Sequence, residues 1–237
     1  MAPKLIFHQL FDHETFTYTY LLGDPETREA VLIDPVITNV DRDLKLIEEL
    51  NLKLVYVLDT HVHADHITGA GEIRRRTGAK TGISHRANVD CADLSLADGQ
   101  ELKFGNHTIR VLETPGHTDG CLSFYVSGMV FTGDALLIRG TGRTDFQQGS
   151  AERLYESITN KLFTLPDDTI VYPGHDYKGV MSSTIGLEKR FNPRIGQNKT
   201  KSEFIEIMNN LNLALPKKIH EAVPANQACG DTRRMAT

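Results

Sequence analysis

Cysteine is scarce. The 237-residue chain has three, Cys91, Cys121 and Cys229, far apart and odd in number. They fit neither a disulfide framework nor a CxxC metal site, and they point to a reducing compartment. Long apolar runs are lacking as well: the longest are short and strand-like, so no segment is expected to span a membrane. The opening MAPKLIFHQLFDHE has neither a secretory apolar region nor the Arg/Ser-rich, acid-poor character of a transit peptide. A cytoplasmic protein is the expectation. An excess of positive charge is missing too. The net charge is −5, which gives no reason to expect nucleic acid. The one basic run, Arg74 to Arg76, falls where a helix is expected to end, and cations there complement the helix dipole. No repeat, low-complexity segment or linker divides the chain. One domain over residues 1–237 is expected, with about 213–237 as a short C-terminal tail.

What is present alternates between strand and helix. KLIFHQLF, FTYTYLLG and EAVLID read as strands, the last two joined as a hairpin through GDPET. DRDLKLIEELN carries Leu44, Ile47 and Leu50 at helical spacing, with Asp41 as the N-cap. LKLVYVLD is a nearly continuous apolar run of the kind buried on both faces, and AGEIRRRTG follows as a helix. More strands are expected near 100–104, 107–113, 121–126 and 129–131. SAERLYESITNKLF then reads as an amphipathic helix capped by Ser150. DTIVYPGHDY supplies a last strand and loop, and one helix is expected around 201–211. Buried strands alternating with helices imply sheets covered by helices.

Four of the strands end alike. LVYVLDT stops at His61, IRVLETPG at His117, MVFTG at Asp134 and TIVYPG at His175. Each apolar run passes through Thr, Pro or Gly and presents a side chain that can bind metal. Loops at the ends of sheet strands are where sites usually lie. Strands lying side by side would bring the four together, and Gly116, Gly133 and Gly174 permit tight turns before three of them. The first of these ends opens THVHADHITG, with His61, His63, Asp65 and His66 in six positions. In an extended segment His61 and His63 face one way and His66 another. Imidazole and carboxylate together suit borderline divalent metals. His8, His13, His85, His107 and His220 are isolated and read as ordinary surface or core histidines.

HVHADH, as H-x-H-x-D-H, resembles the signature of the metallo-β-lactamase superfamily, and the later GHT, GDA and PGH resemble its remaining ligand motifs in order. The resemblance implies an α+β fold: an αββα sandwich of two mixed β-sheets flanked by helices, with metal at one edge. By analogy, His61, His63 and His117 would hold one metal and Asp65, His66 and His175 a second, with Asp134 bridging. That inventory, similar to glyoxalase II, implies a dinuclear zinc or iron thioester hydrolase acting on a glutathione conjugate.

The flanking sequence resembles a different member group. TGDALLIRGTGRTDFQQGS, YPGHDYKG, NPRIG and NLNLALPKKIHEAVPANQACG look like the persulfide dioxygenase (sulfur dioxygenase) family. That family implies one Fe(II) per chain on His61, His117 and Asp134, a 2-His-1-carboxylate triad with three open positions. His63, Asp65, His66 and His175 would then hydrogen-bond around the ligands and tune the iron. The implied reaction oxidises glutathione persulfide with O2 and water to sulfite and glutathione, as in sulfide detoxification. A separate rhodanese-type sulfurtransferase and a homodimeric second copy are the partners this reading admits. The glyoxalase II kind carries an extra helical substrate domain after its last ligand, for which the tail here looks short. A noncatalytic persulfide sensor would want a partner domain, and a nuclease a basic groove.

Arg143, shortly after Asp134, can pair with a glutathione carboxylate or with Asp145. Tyr177 can reach substrate from beside His175. Asp176 reads as structural. Cys121 is expected to be buried and inert, and Cys229 structural or incidental.

Overall fold

The computed structural model describes residues 4–231. The first half builds one six-stranded sheet. β1 (Ile6–Phe11), β2 (Tyr18–Gly23) and β3 (Glu29–Ile33) pair antiparallel, with the predicted hairpin between β2 and β3. A 3-10 turn runs straight into α1 (Val40–Glu49). The helix therefore starts earlier than expected: Asn39, not Asp41, is the N-cap, and Asp41 lies in the first turn, where a carboxylate still favours the helix dipole. β4 (Lys53–Leu58), α2 (Ala70–Thr77), β5 (Lys80–Ser84) and β6 (Leu94–Leu96) follow, and β3 to β6 run parallel. β5 and β6 go beyond the expected strands. KTGIS is short and polar, and it pairs because Gly82 lets the chain lie against Leu58: a Cβ there would sit 2.9 Å from Leu58 Cδ2.

The second half builds the other sheet, ordered β12-β11-β10-β9-β8-β7. Its strands are β7 (Glu101–Phe104), β8 (His107–Glu113), β9 (Leu122–Val126), β10 (Met129–Gly133), β11 (Ile170–Pro173) and β12 (Ser183–Thr184). Between β10 and β11 comes α3 (Ala151–Ser157), capped as expected by the Ser150 hydroxyl, which accepts from the Arg153 N–H. The chain then runs through a π-helical turn. After β12 come α4 (Ile185–Phe191), α5 (Lys201–Asn209) and α6 (Ile219–Gln227), so the C-terminal part holds three helices where one was expected. IHEAVPANQ hides its helix behind Pro224, and α6 makes the stretch after 213 more than a tail.

Three apolar layers show the expected αββα sandwich. Leu22, Val31, Ile33 and Leu58 meet Val111, Phe124 and Phe131 between the sheets. The alternate residues Leu21, Ala30, Leu32 and Val57 pack with Ile47 and Ile73 from α1 and α2. Leu112, Val130 and Val171 pack with Leu154, Ile185 and Phe204 from α3, α4 and α5. The two-residue strand period thus assigns alternate residues to different layers. Phe124 and Phe131 are fully buried, and truncating either to Ala would cost roughly 3–5 kcal/mol.

The sheets are tied at one edge. The Leu122 N–H donates to the Thr60 carbonyl at 2.7 Å, and the Tyr18 N–H to the Gly174 carbonyl at 2.8 Å. Both ties lie beside strand ends predicted to carry ligands.

Candidate metal centre

The loops after β4, β8, β10 and β11 converge as expected. His61, His117 and Asp134 place ligand atoms within 4.8 Å of one another, and His63, Asp65 and His66 form a second such group. Two glycines allow the approach. Gly133 takes φ +49°, and a Cβ there would lie 2.5 Å from Thr60 Oγ1. A Cβ on Gly174 would lie 2.7 Å from Asp134 Oδ1.

Hydrogen bonds fix which nitrogen each histidine offers. Asp34, at the end of β3, accepts from the Thr60 N–H at 2.7 Å and the Thr60 hydroxyl at 2.8 Å. With its proton committed, Thr60 Oγ1 accepts from His61 Nδ1 at 3.0 Å, leaving Nε2 of His61 as the lone pair. His117 Nδ1 donates to the Arg143 carbonyl at 2.7 Å, so its Nε2 is again the lone pair. That atom lies 3.6 Å from Asp134 Oδ2. His61 and His117 thus offer the same nitrogen to one point beside a carboxylate.

The remaining polar residues are engaged differently. His63 Nε2 donates to Asp34 Oδ1 at 3.1 Å, and His66 Nδ1 to Asp65 Oδ2 at 2.7 Å. Their other nitrogens, His63 Nδ1 and His66 Nε2, are buried without a hydrogen-bond partner among the described residues. His175 donates from both nitrogens, Nδ1 to Asp134 Oδ1 at 2.7 Å and Nε2 to Asp65 Oδ2 at 3.0 Å. The extended-segment expectation fails here. Residues 61–66 turn, and the His63 ring stands 4.2 Å from His61 and 4.3 Å from His66, so His66 does not face away.

Burial and neighbouring charge sort the groups of the centre. Burial, with His63 and His117 nearby, holds His61 well below the usual imidazole range. Burial pushes Asp134 upward, but His175, His117 and His61 outweigh it and keep the carboxylate ionised. Burial opposes charge on His175 too, yet Asp134 and Asp65 raise it well above the usual range. Against the same burial, Asp34 raises His63 to about 9. A neutral His61 beside an ionised Asp134 is a donor set ready to bind a cation.

Beside the ligands opens a cleft of about 470 Å³, lined among others by His61, His117, Asp134, Arg143, Tyr177 and Arg194. That volume suits a small-molecule substrate. Tyr177 stacks over His175 at 6.1 Å between ring centroids and is largely exposed. Asp176 accepts from the Lys178 and Val180 N–H groups, which makes it part of the turn. Arg143 lines the cleft, but its guanidinium grips Asp145 through Nε and Nη2 at 2.6 Å each. It also donates to the Leu213 and Ala214 carbonyls at 3.1 and 2.6 Å.

Cys121 is buried, and burial raises its thiol to about 12, as an inert core cysteine would be. The other two cysteines overturn the expectation from spacing. Cys91 and Cys229 form a disulfide across 138 residues. Their separation hides a contact that only α6 packing near α2 creates, and the disulfide removes the argument for a reducing compartment.

Asp34, Thr60 and Thr17 escaped the sequence reading. Asp34 obeys the rule that found the others, since EAVLID is an apolar strand ending in a carboxylate. Thr17, which bonds Asp65 at 3.1 Å, carries no such signal.

Residues 14–175 match the Metallo-beta-lactamase superfamily, a span that ends on His175. The mitochondrial persulfide dioxygenase ETHE1 of Mus musculus is 50% identical over 231 residues, 97% of this chain and 90% of that protein. The Homo sapiens protein of the same name matches at 50% identity over the same shares of each chain. The crystal structure of ETHE1 from Myxococcus xanthus superposes with a TM-score of 0.93 at 57% identity, covering 95% of this chain and 99% of that one. The chain belongs to the persulfide dioxygenase family. It is an enzyme of the metallo-β-lactamase superfamily.

Proposed function

We propose that this persulfide dioxygenase family member oxidises glutathione persulfide with O2 and water to sulfite and glutathione, using one Fe(II) per chain. The paired Nε2 lone pairs of His61 and His117, beside ionised Asp134, carry the reading. These three residues would hold the iron. When bound, iron supplies open coordination positions and passes electrons between O2 and the substrate sulfur. The outer sulfur loses four electrons, which O2 accepts. The S–S bond breaks, and the three oxygens of sulfite come from O2 and water.

The chain's own groups do the rest. The Thr60 hydroxyl and the Arg143 carbonyl hold the His61 and His117 rings. His175 and Asp65 form a charged, hydrogen-bonded flank that orients Asp134. Tyr177 presents its hydroxyl at the cleft as a substrate contact. Arg143 acts on substrate through the 213–214 wall it anchors, while Arg194 and Lys178 line the cleft where a glutathione carboxylate would lie.

One observation favours the dinuclear thioesterase instead. Among the described residues, His63 Nδ1 and His66 Nε2 have no hydrogen-bond partner, and both lie beside Asp65. Against it, both nitrogens of His175 are already committed to carboxylates. A second metal would have to break those bonds and displace protons from His63 and His175.

Persulfide delivery by a separate rhodanese-type sulfurtransferase and a homodimeric state complete the proposal. The first fits the chemistry of the substrate. No helix among the described residues is long and apolar enough to cross a membrane. The mammalian relatives are named as mitochondrial. Reconstitution with Fe(II) under anaerobic conditions, followed by O2 uptake with glutathione persulfide, tests the reaction. Uptake matched by sulfite is expected; no uptake, or full activity with zinc alone, overturns it.

A further inference from the structure

The ligand loop has little backbone structure of its own. Among the described residues, no backbone–backbone hydrogen bond reaches residues 61–66. Its neck is closed where the Thr68 hydroxyl bonds both oxygens of Asp59, at 2.9 and 3.1 Å. Between neck and tip, the carbonyls are held by side-chain amides. Gln147 Nε2 donates to the Val62 carbonyl at 2.9 Å. Asn226, on α6, donates from Nδ2 to the His63 carbonyl at 2.9 Å and the His66 carbonyl at 2.8 Å. Its Oδ1 accepts from the Thr68 N–H at 2.8 Å.

This amide is specified. Two carbonyls require the NH2 group, and one N–H requires the oxygen, so a flipped amide would lose all three bonds. Asn226 is buried, and its partners lie about 160 residues away in sequence, at separations of 158, 160 and 163. The end of its helix is locked against the loop. The Cys91–Cys229 disulfide anchors it from one side. On the other, Gly230 approaches so closely that a Cβ would lie 2.2 Å from the Thr68 carbonyl oxygen.

We propose that Asn226 is a positioning residue: its side-chain amide replaces a missing backbone ladder and holds residues 61–66 in the shape that binds metal. It touches no metal and no substrate. It acts on His61 by fixing the loop through the His63 and His66 carbonyls and the Thr68 N–H. Residues that orient metal ligands typically change metal affinity by about 10–100-fold when removed. The inference rests on the metal-centre reading of the loop.

The test uses the full chain, stripped of metal and titrated with Co(II) alone, with affinity and the visible Co(II) spectrum as readouts. Asn226→Ala and the isosteric Asn226→Asp, whose carboxylate would face two carbonyl oxygens, are each expected to weaken Co(II) binding at least 10-fold and to alter its spectrum. Ala222→Gly, a buried change that weakens the same helix without touching the amide, is expected to shift affinity less than threefold. Asn226 variants that bind within threefold of the parent would overturn the inference, as would Ala222→Gly weakening binding equally. If Asn226→Ala does not fold, Asn226→Asp decides. A parent chain that binds no Co(II) would defeat the metal-centre reading itself, a distinguishable failure.

Discussion

His175 Nδ1 donates to Asp134 Oδ1 at 2.7 Å, leaving Asp134 Oδ2 to face His117 Nε2 at 3.6 Å. One carboxylate oxygen is thereby spoken for by a cation, and the other is left for a metal. His175→Asn breaks the bridge to Asp65 while keeping a short polar group. The variant is expected to retain one iron per chain and to lose about 10-fold or more in kcat, the range seen when a group that orients a metal ligand is removed. Metal analysis and steady-state kinetics together check this. If the variant falls from two metals to one, His175 is a ligand.

Arg143 links the chemistry to the wall. Its carbonyl holds His117, and its guanidinium holds residues 213 and 214. Arg143→Ala keeps the carbonyl and releases the wall. The pairing with the exposed Asp145 contributes only about 0–1 kcal/mol and each carbonyl bond about 1 kcal/mol, so a modest loss of stability is expected. KM for the persulfide is expected to rise several-fold while kcat and iron content hold. An unchanged KM would show that the wall does not shape the substrate site.

The cysteines make a countable prediction. With Cys91 and Cys229 joined and Cys121 buried with its thiol raised to about 12, native protein at pH 8 should take up no iodoacetamide. Denaturation without reductant should expose one thiol, and denaturation with reductant three. Intact-mass spectrometry reads the count directly; two reactive thiols in the native chain would contradict the disulfide.

Much of this was legible in the sequence for one physical reason. A buried strand must stop at a sheet edge, and a polar, metal-competent residue just past that stop is visible in one dimension. His61, His117, Asp134 and His175 all obey that rule, and Asp34 obeys it unrecognised. What bonds make across distant segments was not legible. Asn226 reaches the ligand loop through a helix interrupted by Pro224, and Cys229 reaches Cys91 through the same packing. The commitment of Arg143 to the wall also depends on where residues 213–214 fold, which no local pattern encodes.

Asp43 predicts a pH dependence away from the centre. It is fully buried on α1, and burial raises it to about 6, against the pairing with Arg42. Its folded value lies above the unfolded one, so burial of the charge costs stability once the group ionises. Below about pH 3 the acid is protonated in both states and the cost vanishes; above about pH 7 the cost is complete, on the order of 2–3 kcal/mol. Asp43→Asn should therefore raise the melting temperature at pH 7.5 and leave it nearly unchanged at about pH 3. Equal shifts at both pH values would show that ionisation is not the cause.

The proposed centre holds a single iron on His61, His117 and Asp134. Anaerobic titration of metal-free chain with Fe(II), reading O2 uptake with glutathione persulfide at each step, tests it most directly. Activity is expected to rise linearly and break at one iron per chain. A break at two, or activity that saturates equally with Zn(II), would rule out a single-iron centre.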